Sequence, residues 1–139
     1  MSYKLSPKEV ESVLKVDIDK RVKYFRNMVG DKCNLWLCID DNGDLFTGFD
    51  KNNKECLSVW PAKEYAEFLL TQSSLKAFNS INYLKSIDIH DFLDEYIDEL
   101  IKLNIYILIF PTEQGGALMT AESFRSMMIE ELLKYEDFE

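Results

Sequence analysis

Few residues of this chain are equipped for chemistry: three cysteines (Cys33, Cys38, Cys56), a single histidine (His90), and a bunch of loop oxygens at Asp40, Asp41, Asn42 and Asp44. A nucleophile needs a base within hydrogen-bond reach. His90 falls at an expected helix start beside Asp91, and its neighbours Ile89 and Phe92 take the burying positions, so its imidazole is expected in solvent. Zinc chemistry needs ligand spacing, and neither C-x-x-C nor H-E-x-x-H occurs, so the cysteines read as small buried hydrophobes. A calcium loop of EF-hand type requires its glycine at the sixth place, whereas Gly43 comes at the fourth place from Asp40, which reads instead as a hairpin turn. Gly115-Gly116 belongs to no phosphate-binding pattern. The expectation is no catalytic residue, no metal and no cofactor.

Two other groupings stand out. Asp91, Asp94, Glu95, Asp98 and Glu99 share the outer side of an expected helix. On a regular α-helix Asp91 stacks over Glu95, Glu95 over Glu99 and Asp94 over Asp98, like-charge pairs each costing about 0.2–0.5 kcal/mol. Only the helix dipole offers local compensation to the first-turn acids. Such a face suits a basic protein partner, which long-range attraction would steer in. Separately, Trp36, Trp60, Tyr65 and Phe110 lie at or near strand ends, with Trp60-Pro61 and Phe110-Pro111 as matched pairs. They would line a ligand pocket or pack a core.

The elements that position these residues begin with Ser6-Pro7-Lys8-Glu9, a capping box with proline in the first turn. Asp17 caps a second helix that buries Ile18, Val22, Phe25 and Val29 and is ended by Gly30. Leu35, Leu37 and Ile39 then alternate with polar or outward positions. Asp41-Asn42-Gly43 turns the chain, Leu45, Phe46 and Phe49 return it, and Cys56 to Trp60 form a third strand, together a β-meander. Pro61 switches to a helix with Ala62, Tyr65, Ala66 and Leu69 on one side, and residues 72–87 read as an irregular connection. After Asp88, the residues Ile89, Phe92, Leu93, Tyr96, Ile97, Leu100 and Ile101 make one apolar stripe. Ile105 to Phe110 reads as a central strand stopped by Pro111. Gly115-Gly116 turns into a short strand, Ala117 to Met119, and Thr120 caps a last helix with Phe124, Met128 and Leu132.

The chain has 139 residues, enough for about one domain. The expected fold is α+β: a small antiparallel or mixed sheet, a β-meander plus a central strand, packed with helices. Residues 1–16 are expected as a helical extension, 17–134 as the core and 135–139 as a frayed acidic tail. A net charge of −9, with seven acids against Lys102 alone in residues 86–113, would repel phosphate backbones and speaks against nucleic acid. The basic cluster Lys20, Arg21, Lys23 and Arg26 reads as a solvated helix face. No run approaches a membrane span, and the amino terminus lacks a secretory pattern, so a cytoplasmic protein is expected.

Arg21 to Phe25, Leu35-Trp36-Leu37, Val59-Trp60-Pro61 with Tyr65-Ala66, Ile87 to Leu93, Ile107 to Pro111 and Gly116 to Thr120 follow one another in a recognisable order. Over residues 18–130 the chain resembles a family of small bacterial proteins catalogued as domain of unknown function 2750. The resemblance implies a small α+β bacterial cytoplasmic domain and brings no catalytic residues with it. Around Leu75 to Phe78 the chain departs from a tryptophan and glycine of that pattern. The functional expectation is a noncatalytic interaction module, of inhibitor or immunity type. The alternative is a small-ligand-binding domain or an enzyme using the tryptophan-lined strand ends.

Overall fold

A computed structural model describes residues 6–40, 42–50, 52–72, 83–112 and 115–136. The Ser6 hydroxyl accepts the Glu9 N–H at 3.2 Å and starts α1 (Pro7–Leu14), which buries Val10. Asp17 likewise accepts the Lys20 N–H at 3.0 Å and starts α2 (Ile18–Lys32). Phe25 and Val29 are buried as their spacing predicts, but Ile18 stays 38% exposed. Gly30 does not end the helix, which runs on to a left-handed Cys33 at φ 62°. Its use is in packing. A Cβ on Gly30 would stand 2.9 Å from Glu131 Cγ, so the bare backbone lets the last helix, α6 (Ala121–Glu136), come close.

The strands form two small sheets. β1 (Asn34–Ile39) pairs antiparallel with β4 (Tyr83–Asp88). The other sheet has the order β2 (Gly48–Phe49), β3 (Glu55–Val59), β5 (Tyr106–Thr112), β6 (Gly115–Met119), with β3 and β5 parallel and the outer pairs antiparallel. Trp36 and Trp60 exchange two backbone hydrogen bonds of 2.9 Å and join the sheets. Following β3, α3 (Lys63–Gln72) lies, like α2 and α6, against β5.

The expected meander is therefore corrected. The long partner of β1 is β4, and the return segment contributes only the Leu45 bridge to Ile39 and the two residues of β2. Side chains take the backbone donors that a longer hairpin would need. Asp40 accepts the N–H groups of Asn42 and Asp44 at 2.8 and 3.0 Å, and Asp50 those of Asn52 and Lys54 at 2.9 and 2.8 Å. The expected irregular connection is corrected from Tyr83 onward, which is strand, while residues 73–82 of it lie outside the described residues. Two adjacent exposed residues, Lys85 and Ser86, break the alternation that would have marked β4.

β5 is central as expected, with Ile107 and Ile109 buried. Pro111 does not stop it. The strand continues to Thr112 through a register shift between Ile109 and Thr112, with Phe110 at φ 51°. Gly115 and Gly116 lie within β6 rather than in a turn before it. A Cβ on Gly116 would fall 2.7 Å from the Ile109 carbonyl oxygen, so the shifted segment packs directly on glycine backbone.

Asp88 starts the acidic helical stretch by accepting the His90 and Asp91 N–H groups at 2.8 and 3.2 Å. That stretch is α4 (Ile89–Asp91), a π turn (Phe92–Tyr96) and α5 (Ile97–Lys102). Its buried residues are Ile89, Phe92, Ile97 and Leu100, in steps of three, five and three. The step of five is the π turn itself, closed by the Ile97 N–H on the Phe92 carbonyl. Leu93, Tyr96 and Ile101, expected in the same stripe, are only partly buried. No helix among the described residues is long and apolar enough to cross a membrane.

Candidate functional site

The aromatic strand-end residues do meet. Trp60, Tyr65 and Phe110 are each no more than 2% exposed, while Trp36 is half-buried. The Tyr65 and Phe110 rings lie 4.7 Å apart, and the Tyr65 hydroxyl donates to that of Tyr24 at 2.8 Å. The Trp60 indole N–H donates to the Pro111 carbonyl at 3.1 Å, tying the two aromatic-proline pairs together. These contacts offset the cost of holding Phe110 in the left-handed region, of order 1–3 kcal/mol. The side chains fill one another's space, and the two clefts described below lie elsewhere. Tyr24 belongs to this cluster and was not singled out in sequence. Its only signal was its place beside Phe25 on a helix whose other turns carry bases.

Burial pushes both hydroxyls above the ordinary tyrosine range. For Tyr65 the hydrogen bond to Tyr24 adds to the effect of burial, and for Tyr24 the same bond opposes it. A tyrosine that ionises near pH 10 when unfolded and later when folded contributes stability below pH 10, lost as pH rises toward the folded value. Above pH 10, Tyr65→Phe is expected to lose about 1.4 kcal/mol less per pH unit than the unsubstituted chain. Urea melts followed by circular dichroism between pH 8 and 11.5 check this, and parallel curves would contradict it.

The cysteines match the expectation of buried hydrophobes at Cys38 and Cys56. Burial pushes the Cys38 thiol up to about 11, which withholds the thiolate a nucleophile needs. No cluster of three metal-ligating side chains occurs among the described residues. Arg21, expected in solvent, is instead 2% exposed, donating to the Val16 carbonyl at 3.2 Å and the Gly115 carbonyl at 3.0 Å. Its stem packs and its two terminal nitrogens meet carbonyls, while its buried Nε has no hydrogen-bond partner among the described residues, a burial that the run of bases around it hides.

Asp91, Asp94, Glu95, Asp98 and Glu99 are all exposed. The π turn at Phe92–Tyr96 interrupts the regular α-helix on which the stacking of Asp91 over Glu95 and Asp94 over Asp98 was expected. The expected lack of local compensation is also corrected at Asp98, which accepts a hydrogen bond from Arg125 of α6 at 3.1 Å. Between the acidic face and α6 runs an open groove of about 270 Å³ lined by His90, Leu93, Asp94, Arg125, Ile129, Leu132 and Leu133. His90 is exposed on its rim. A second cleft, of about 150 Å³, lies between Asn104-Ile105 and Thr120-Ala121.

One protein-family model matches the chain, over residues 22–128, and its description is a protein of unknown function (DUF2750). No curated protein and no solved structure matches it.

Proposed function

We propose, since this chain belongs to the DUF2750 family of proteins of unknown function, that its role lies in its surface: it is a noncatalytic interaction module, of inhibitor or immunity type, whose acidic helix covers a basic protein. The observation that carries this reading is the exposure of all five acids on one helical stretch beside a groove. Asp98 has an arginine partner at 3.1 Å, and the four other exposed acids keep the stretch strongly negative. Charge of this density raises encounter rates with cations and rejects anionic surfaces.

The test neutralises four acids and leaves the Asp98–Arg125 pair alone: Asp91→Asn, Asp94→Asn, Glu95→Gln and Glu99→Gln together. Affinity capture from native lysate is expected to yield a basic protein at low salt. Recovery falls about tenfold or more with the variant, and also at 1 M salt, where the Debye length shrinks to about 3 Å. Folding stability is expected to stay within about 0.5 kcal/mol, because relieved repulsion offsets the lost dipole interaction of the first-turn Asp91. Undiminished capture by the variant would sink the reading.

A further inference from the structure

We infer that the groove between the π turn and α6 is the anchoring half of that interface, and that it receives the apolar side chains of a cationic amphipathic helix. The inference rests on the acidic-face reading above and adds the partner's chemistry. α6 is apolar on two sides. Phe124, Met128 and Leu132 are buried in the core, yet Ile129 and Leu133, one turn apart on another side, are 45% and 49% exposed. A helix with a single buried stripe has no use for a second one. Leu93 faces this pair across the groove, with Asp94 beside it.

The volume, about 270 Å³ and open to solvent, falls below the roughly 300–1,000 Å³ of small-molecule sites. It suits one or two side chains presented by a larger partner. Charge decides which partner. In a two-fold contact between copies of this chain the same acids would oppose one another, on a molecule of net charge −9. Nucleic acid and anionic lipid carry the same unfavourable sign. A helix with apolar residues one turn apart and Lys or Arg on either side satisfies both halves of the surface, its anchors on Ile129 and Leu133 and a cation on Asp94 at the groove's edge.

Two synthetic helical peptides of equal charge provide the probe: a lysine peptide with leucines at i, i+3, i+4 and i+7, and its counterpart with alanine at those places. Fluorescence anisotropy at low salt is expected to show the leucine peptide binding the full chain about tenfold or more tighter. The Ile129→Ser/Leu133→Ser variant, checked for folding by circular dichroism, is expected to bind both peptides alike. Methyl chemical shifts of Leu93, Ile129 and Leu133 should move with the leucine peptide only. Equal affinity of the two peptides for the unsubstituted chain, or a leucine preference that survives in the serine variant, would overturn the groove inference and leave the acidic face standing. Binding of neither peptide would overturn both.

Discussion

Trp60→Ala is expected to destabilise the protein by about 4–5 kcal/mol, a large share of the 5–15 kcal/mol typical of a domain. Trp60 is 2% exposed and sits where the two sheets join, so truncation leaves a cavity that rigid strands cannot close. It also removes the donor to the Pro111 carbonyl. Trp60→Phe separates these effects. The phenyl ring keeps much of the packing but leaves that buried carbonyl without its partner, an expected cost of about 1–3 kcal/mol. Urea unfolding followed by far-ultraviolet circular dichroism measures both variants without relying on the fluorophore being removed. A Trp60→Phe variant within 0.5 kcal/mol of the unsubstituted chain would mean, contrary to this account, that the indole N–H contributes nothing to holding the Phe110-Pro111 corner.

The second large effect lies between α2 and α6. Glu131 is buried, with its side chain 3% exposed, and one of its oxygens accepts from Arg26 Nε at 3.0 Å and Lys134 Nζ at 3.1 Å. Arg26→Met is expected to cost about 3 kcal/mol, because most of the loss is a buried carboxylate left with one flexible, solvated cation. The further contact of Arg26 with Glu130, whose side chain is 73% exposed, adds little. Adding Glu131→Met to Arg26→Met should recover most of that loss, since an apolar pair of similar volume can replace a buried ion pair. Additive losses in the double variant would show that Glu131 acts through its contact with Gly30 rather than through its charge.

How far sequence reached into this fold can be read from particular residues. Ser6 and Asp17 announced their helices because a capping oxygen is a local interaction, three residues from its donor. β5 was legible because a strand covered on both sides must be apolar on both. What escaped depends on distant neighbours. Gly30 looks like a helix stop until α6, a hundred residues later, proves to need its empty place. Arg21 looks solvated until the Gly115 carbonyl arrives to take its guanidinium. Pro111 looks like a strand end, but Phe110 and Gly116 accommodate it inside the strand. At the candidate site, the acids were legible one by one as outward positions. The groove beside them was not, since the stripe of Phe124, Met128 and Leu132 accounts for the last helix in sequence and nothing local marks Ile129 and Leu133 as exposed on another side. The family resemblance was legible from the aromatic-proline pairs, which the Trp60–Pro111 hydrogen bond now places in a single corner of the fold.

The π turn at Phe92–Tyr96 carries a consequence for comparing sequences across the family. It amounts to one surplus residue in an otherwise continuous helix, absorbed by widening rather than by a loop. A homologue shorter by one at this point would keep the same buried residues on ordinary turns, with the step of five reduced to four, and only the outward positions of the turn itself, Asp94 and Glu95, would be re-set. Single-residue gaps aligned within 92–96 would therefore mark members whose acids beside the groove are arranged differently, although neither their cores nor their helix ends would differ.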